Sequence, residues 1–203
     1  MIAGVRTVPN VGHGLNFTIA RGPLILIAMT DEDRGGDPIE LVQQLPKNSI
    51  LIFRHYTDPA REQLAHQIVR ACRGAGVYCL IAGDIALARK CKSDGVHFPE
   101  YQLGRLAVRR FMPTQWITTG AAHNHKSARR IEALGLDAAL LSPVFASKSH
   151  PGAVALGIWQ FATISRYVSI PVIALGGVSP DRLRRLRLAG AHGIAGISLF
   201  SER

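Results

Sequence analysis

The sequence predicts a single small (β/α)8 barrel, in which eight parallel strands alternate with helices. Short runs rich in Ile, Val and Leu recur with helix-like segments between them, which is typical of parallel strands joined by crossover helices. Eight such units fit within 203 residues, at the lower end of the size range of this fold. A doubly wound sheet of eight strands would be a less economical closure of the same pattern, so we favour the barrel.

The predicted strands are short apolar runs, each the start of a βα unit. They cover residues 24–30, 49–54, 77–82, 95–98, 116–119, 138–143, 171–175 and 193–198. Between the second and third strands, the segment 59–73 has Leu64, Ile68 and Cys72 at helical spacing, and Gly74 is its predicted end. Helices of this kind would coat the outside of the sheet.

The helix before the eighth strand has a well-defined predicted start. Ser179 is the expected N-cap, Pro180 fits the first helical position and Asp181 places an acid in the first turn. Only residues 199–203 follow the eighth strand, so no closing helix fits there. The N-terminal residues 1–22 or a second subunit would have to cover that side, because an uncovered apolar flank would be an unusually large exposed patch. A homodimer is therefore one expected arrangement.

Composition favours one domain, residues 23–203, after an N-terminal extension of residues 1–22. The chain is 47% hydrophobic, which is enough for one sizeable core. No apolar run approaches the roughly 18 residues of a membrane span, and the extension lacks the features of a secretory signal. We therefore expect a soluble protein with no membrane partner. Its three cysteines form neither a disulfide framework nor a zinc pattern, which favours a cytoplasmic location.

The formal net charge of +10 does not by itself indicate a nucleic-acid partner. The basic residues are spread over helix-like segments, and the few aromatic residues form no stacking motif, so we expect no nucleic acid to bind. An anionic small molecule, or a solvated basic surface, explains the charge as well.

Candidate binding residues follow the last predicted strands, because barrels of this kind place their active sites at the carboxyl ends of the strands. Gly176 and Gly177 follow the seventh strand, and Ile197 and Ser198 end the eighth. Loops at these two positions commonly bind phosphate between them, with backbone N–H groups as donors. The plainer alternative is that the two glycines only permit a tight turn.

The loop after the sixth strand is rich in polar and basic side chains. Ser147 and Ser149 can donate hydrogen bonds to phosphate oxygens, Lys148 supplies a positive charge, and His150 can donate or exchange a proton. A polar surface loop without a binding role is the alternative interpretation.

Several stretches resemble the thiamine phosphate synthase/TenI family of (β/α)8 barrels. They are AMTDEDR in strand one, SDGVHFPE in strand four, SPVFASKSHPGAVALG after strand six and IPVIALGGVSPDRLRRLRLAGAHGIAGIS over strands seven and eight. The resemblance implies that the chain binds thiazole phosphate. Synthases of this family join a pyrimidine pyrophosphate to thiazole phosphate with magnesium, whereas the TenI branch includes a thiazole tautomerase that needs no metal.

The thiazole phosphate half of the family's site is kept in this sequence. The family's phosphate-binding positions fall on Gly176, Gly177, Ile197 and Ser198, with Gly157 and the loop 147–150 beside them. The resemblance therefore implies a small-molecule phosphate substrate.

The pyrophosphate half departs from the synthase pattern. Synthases have an Asn-Asp pair after strand three, whose aspartate holds magnesium, and this chain has Ala82 and Gly83 there. A second metal-binding aspartate falls on Gln102, and only Arg54 is kept from a Gln-x-Arg-x-Lys motif. Magnesium relies on carboxylate oxygens, so these departures favour the TenI branch and predict no cofactor. We expect Arg54 to pair with an anionic group of the ligand.

His123 falls on the histidine that the tautomerase uses as acid and base. An imidazole near neutrality can both take and return a proton. Synthases often share this histidine, and a structural histidine at a strand end fits the pattern as well. His125 is an alternate candidate, whereas we expect His97 and His192 to be structural.

Three functions stay open from the sequence. The leading hypothesis is a TenI-like tautomerase with His123 as acid and base. The second is a synthase with a rebuilt pyrophosphate site and bound magnesium, in which Asp84 or Glu100 would replace the lost ligands after a backbone shift. The third is a non-catalytic protein that binds a phosphate ligand.

Overall fold

The computed structural model describes residues 24–34, 36–104, 112–146, 152 and 154–197. Eight parallel strands follow one another around a closed barrel, and the last pairs with the first. They are β1 (Ile25–Met29), β2 (Ile50–Phe53), β3 (Tyr78–Ala82), β4 (Gly95–Phe98), β5 (Ile117–Ala122), β6 (Ala138–Leu141), β7 (Val172–Leu175) and β8 (Gly193–Gly196). The predicted (β/α)8 barrel is confirmed.

Helices connect most of the strands in the described part of the chain. They are α1 (Pro38–Gln44), α2 (Arg61–Ala75), α3 (Ile85–Cys91), α4 (His125–Ala133), α5 (Gly157–Tyr167) and α6 (Leu183–Leu188), with 3-10 turns at Glu100–Gln102 and Pro180–Arg182. Aspartates set two of the helix starts. Asp37 caps α1 by accepting the Ile39 N–H, and Asp84 caps α3 by accepting the Leu87 N–H, both at 2.8 Å.

The core has two layers because side chains alternate across each strand. Inward-facing residues fill the barrel interior, among them Ile27, Ile50, Leu80, Leu140 and Ile173. Outward-facing residues pack against the helices, among them Phe53, Ile81 and Phe98 on strands with Ile68 and Phe161 on α2 and α5. The strands are therefore buried on both faces, which explains their nearly continuous apolar sequences.

Most strands differ from their predicted bounds by one or two residues at an end, and β5 differs by three. The strand β5 continues to Ala122 instead of ending at 119, and glycine at 120 lets α4 pack directly on it: a Cβ there would lie 2.8 Å from the Ile131 side chain. The strand β6 ends at Leu141 instead of 143. Pro143 has no N–H with which to continue the ladder.

The helix α2 also differs from its prediction, because Gly74 does not end it. The helix continues to Ala75, and Gly76 follows with a φ of 72°. This left-handed conformation suits glycine, and the Gly76 N–H returns to carbonyl oxygens of the last turn. The predicted glycine stop was therefore two residues early.

The predicted N-cap Ser179 precedes a 3-10 turn rather than the α-helix itself. Its side chain makes no capping bond to a backbone N–H; the hydroxyl instead donates to the Asp181 carboxylate and lowers the pKa of that group. The α-helix α6 begins only at Leu183, after the turn. A positive helix end therefore does not directly follow the two glycines of the strand-seven loop.

Residues 1–22 and 199–203 lie outside the described residues. The extension, the replacement of the last helix, the homodimer and the cytoplasmic location stay predictions. Among helices of the described residues, none is long and apolar enough to cross a bilayer.

Candidate functional site

Predicted site residues from four strands meet at one end of the barrel. Arg54 follows β2, His123 follows β5, Gly176 follows β7 and Ile197 follows β8. All strands are parallel, so these positions share the end that carries the active site in barrels of this type. We call this end the barrel mouth.

The side chains Ser147, Lys148, Ser149, His150 and Ser198 lie outside the described residues. Their roles stay predictions from the sequence.

The two glycines after β7 form a close contact with the loop after β6. A Cβ on Gly176 would lie 2.9 Å from Pro143, and one on Gly177 would lie 2.6 Å from the Ala146 carbonyl oxygen. Both residues have positive φ angles, of 90° and 63°. Glycine is therefore required here for a left-handed turn and for a close approach of backbones, which brings the strand-six loop against the expected phosphate position.

Two other residues contact the loops after β6 and β7. The Gly157 N–H donates to the Val144 carbonyl oxygen at 2.9 Å, so in this arrangement it joins α5 to the strand-six loop instead of pointing at a ligand. Arg182 donates to the Gly177 carbonyl oxygen at 2.7 Å, and its guanidinium lies 4.5 Å from the centre of the Phe145 ring. Arg182 thus clamps the glycine turn and adds a positive charge near it.

Arg54 is held at the barrel mouth by its backbone. Its N–H donates to the Thr30 hydroxyl at 2.8 Å, and its Nη1 lies 4.0 Å from Asp31. Asp31 already accepts two hydrogen bonds from Arg34, at 3.2 and 2.8 Å, and the Arg34 guanidinium lowers the pKa of the Asp31 carboxyl. A guanidinium has five donors, so Arg54 has donors left for an anionic ligand.

His97 lies inside the barrel beneath the mouth. Its side chain is buried, and its Nδ1 lies 2.9 Å from the Thr119 hydroxyl. Burial, and then the charge of Arg54, lower the pKa of His97 to about 3. The ring is therefore neutral at physiological pH, which suits the structural role expected from the sequence.

His123 continues the inward-facing set of β5, and its ring Nδ1 contacts the Glu100 carboxylate. Glu100 begins the 3-10 turn after β4, the neighbouring strand. The His123 side chain is 53% exposed, so a ligand at the mouth can reach it. The His123 N–H donates to Ser127 at 3.1 Å, and Asn124 and Ser127 form the capping box of α4. The start of α4 therefore fixes the backbone of this histidine.

The other two histidines named in the sequence analysis lie elsewhere. His125 starts α4, and its ring packs edge-on against Tyr167 of α5, 4.4 Å away, in the outer helix layer. His192 accepts the Val172 N–H at its Nδ1, at 3.2 Å. Burial lowers the pKa of His192. The position of His125 in the outer layer favours His123 as the reactive histidine at the mouth.

Side chains fill the region where the synthase motif after strand three would lie. Gln102, which occupies the position of the second aspartate, donates to the Gly83 carbonyl oxygen at 3.0 Å. A Cβ on Gly83 would lie 3.2 Å from the Gln102 amide and 3.4 Å from Tyr56. Burial raises the pKa of the Tyr56 hydroxyl. The strand-three and strand-four loops are thus joined directly by a hydrogen bond.

Asp84, the acid nearest to the altered motif, is also engaged. One of its oxygens caps α3, and the other accepts from Arg61 at 3.2 Å. Arg61 donates as well to the Ala82 carbonyl oxygen at 2.8 Å and to the His55 carbonyl oxygen. Within the described part of the chain, no three His, Cys, Asp or Glu side chains are placed to hold a metal ion.

Sequence reasoning missed three contributors to this site: Arg61, Arg182 and the pairing role of Glu100. Arg61 and Arg182 are single basic residues on helical segments, which look like ordinary surface positions. Glu100 did carry a signal, because it and His123 lie within two residues of the ends of two neighbouring strands. Adjacent parallel strands bring such residues together at the mouth.

Comparison with known proteins gives a match over most of the chain. A family model described as thiamine monophosphate synthase matches residues 24–200. A protein of Aquifex aeolicus named "Putative thiamine-phosphate synthase 2" is 32% identical over 182 residues, which cover 87% of this chain and 97% of that protein. The thiamine-phosphate synthase of Bacillus velezensis is 26% identical over 187 residues, covering 88% of this chain and 83% of its own.

A solved structure agrees with the fold. Thiamine phosphate pyrophosphorylase from Pyrococcus furiosus superposes with a TM-score of 0.70 and covers 86% of both chains, at 22% sequence identity. At this level of identity the likeness supports the barrel and its topology.

Proposed function

Because the chain belongs to the thiamine monophosphate synthase/TenI family, we propose that it is a TenI-like enzyme of thiamine biosynthesis that binds a thiazole phosphate and moves a proton on the thiazole ring. The observation that carries this proposal is that both carboxylates near the synthase magnesium positions are already engaged. Asp84 is bound by Arg61 and by the start of α3, and Glu100 is bound by His123.

The residues present do not suit magnesium. That ion prefers several oxygen ligands in octahedral geometry, usually including carboxylates. At the two family positions the chain offers Gly83, without a side chain, and Gln102, whose amide donates to a carbonyl oxygen. The guanidinium of Arg61 beside Asp84 adds a positive charge that would repel a magnesium ion. We therefore assign no step of the reaction to magnesium.

The proposed reaction needs one base that becomes an acid. The strand-seven and strand-eight loops would bind the phosphate through backbone N–H groups, and Arg54 would pair with a second anionic group of the ligand. His123 then accepts a proton from one position of the thiazole ring, and the resulting imidazolium returns a proton to another position. Electrons and atoms balance without a co-reactant, because the product is an isomer of the substrate.

A synthase is the second candidate function. It is favoured by the names of the relatives, since the Aquifex and Bacillus proteins are both named as thiamine-phosphate synthases. In a synthase the chain would couple a pyrimidine pyrophosphate to the thiazole phosphate and release pyrophosphate. The two candidates share the thiazole phosphate and differ in the second substrate and in the need for magnesium.

The test is an isomerisation assay with a thiazole phosphate substrate, followed by proton NMR with and without EDTA. We expect conversion that EDTA does not affect, and a loss of about 10²- to 10⁴-fold in kcat for His123→Ala. His125→Ala is the matched control and should keep its activity, because that ring packs in the outer layer against Tyr167. Pyrophosphate release that requires magnesium and pyrimidine pyrophosphate, without any isomerisation, would establish the synthase instead.

A further inference from the structure

We propose that Glu100 is a positioning residue that fixes His123 as the Nδ1–H tautomer, which makes Nε2 the nitrogen that takes and returns the proton. The inference rests on the proposed function for its catalytic consequence, although the tautomer itself can be measured without substrate. Glu100 belongs neither to the family's magnesium positions nor to the expected phosphate site.

The contact itself defines which nitrogen carries the proton. At neutral pH a carboxylate can only accept hydrogen bonds, so the nitrogen that contacts it must be protonated. Glu100 contacts Nδ1 of His123. In a neutral ring the other nitrogen, Nε2, is then an acceptor, and a histidine's tautomer is set by such a hydrogen bond. Free histidine in water favours the Nε2–H tautomer, so the carboxylate of Glu100 would reverse this preference.

Both partners are held at their backbones. The carbonyl oxygen of Glu100 accepts the Leu103 N–H at 3.1 Å, and the Leu103 side chain is buried. The Leu103 carbonyl oxygen in turn accepts from Arg130 of α4, at 2.9 Å. The helix α4 therefore anchors the turn that carries Glu100 as well as the backbone of His123, which its capping residue Ser127 holds.

The exposure of the pair agrees with a positioning role. The Glu100 side chain is 32% exposed and that of His123 is 53% exposed. The acid is thus the more enclosed partner, and the ring is the one that a ligand at the mouth can touch. An ion pair that served only the surface would contribute little to stability.

The experiment combines ring NMR with kinetics. Long-range proton–nitrogen spectra of histidine-labelled protein, recorded at pH 9, well above the ordinary pKa of an imidazole, report which ring nitrogen is protonated. His123→Gln identifies the signal. We expect the Nδ1–H tautomer in the wild type, the Nε2–H tautomer in Glu100→Leu, and retention of Nδ1–H in Glu100→Gln, whose amide oxygen still accepts. Glu62→Gln, an exposed acid paired with Lys90 on the outer helices, is the matched control.

In the isomerisation assay we expect Glu100→Leu to lower kcat by about 10- to 100-fold with KM nearly unchanged, and Glu100→Gln to recover most of the loss. An Nε2–H tautomer in the wild type, or an unchanged tautomer in Glu100→Leu, would overturn the inference even if the enzyme is active. If the expected tautomers are seen but the wild type does not isomerise the substrate, the proposed function fails while the assignment of the tautomer stands. A parallel loss of thiazole phosphate binding in Glu100→Leu would overturn the positioning role, because the acid would then hold the site together as a whole.

Discussion

Acidification should destabilise the folded protein through His97. Its pKa of about 3 in the fold lies well below the ordinary value of 6.5, chiefly because the ring is buried. Between these two values the unfolded chain binds a proton that the folded chain does not bind, so stability is present above pH 6.5 and is lost as the pH falls towards 3. The slope is at most about 1.4 kcal/mol per pH unit, and the loss from pH 7 to pH 5 is about 2 kcal/mol.

Urea unfolding at pH 7, 6 and 5 measures this loss. In His97→Gln the free energy of unfolding should fall by about 2 kcal/mol less over this interval than in the wild type. His192 also has a lowered pKa, but it is present in both proteins and cancels in the difference. Thr119→Val is the control: it removes the hydrogen-bond partner of His97 but keeps the ring buried, so it should keep the wild-type slope. Parallel curves for the wild type and His97→Gln would refute the reasoning.

Three further predictions concern the glycine turn after β7 and Arg61 of α2. Gly177→Ala should destabilise the fold more than Gly36→Ala, since both have a φ of 63° but only the first would bring a Cβ within 2.6 Å of a backbone oxygen. In urea unfolding, Gly36→Ala should lower the free energy of unfolding by about 1 kcal/mol. Equal losses in the two variants would mean that the clash is absent. Gly177→Ala should also weaken the binding of inorganic phosphate in a titration, whereas Gly36→Ala should not. In urea unfolding, Arg61→Leu should lower the free energy of unfolding by about 1.5 to 3 kcal/mol, because it leaves Asp84 and two carbonyl oxygens without their donor. Arg70 is exposed on the same helix, so Arg70→Leu should stay near the wild type. Similar values for both variants would contradict the role of Arg61.

The barrel could be predicted from the sequence because its strands are buried on both faces. Each strand is then a nearly continuous apolar run, and eight runs with helical segments between them leave few other folds. The ends of elements were harder to predict. Whether Gly74 or Gly76 ends α2 depends on which one adopts the left-handed conformation, and both are glycines after a helical pattern.

The candidate site was predictable where a residue's role follows from its position at a strand end. Gly176, Gly177 and Ile197 were identified in this way. Arg54 and His123 were identified from the family resemblance, and both lie at the barrel mouth. The contact between Glu100 and His123 was not, because it depends on the pairing of β4 with β5 and on the side-chain directions of two loops. The same is true of Gln102 and Gly83, whose hydrogen bond joins the strand-three and strand-four loops. Such contacts across strands have no signature within one stretch of sequence.

Isothermal titration of the purified protein with thiazole phosphate and with pyrimidine pyrophosphate, each with and without magnesium, tests the proposed function most directly. We expect the thiazole phosphate to bind equally well with and without magnesium, and the pyrimidine pyrophosphate to show no magnesium-dependent binding, since Asp84 and Glu100 are engaged by Arg61 and His123. Magnesium-dependent binding of the pyrimidine pyrophosphate would contradict this expectation and would identify the protein as a synthase with a rebuilt pyrophosphate site.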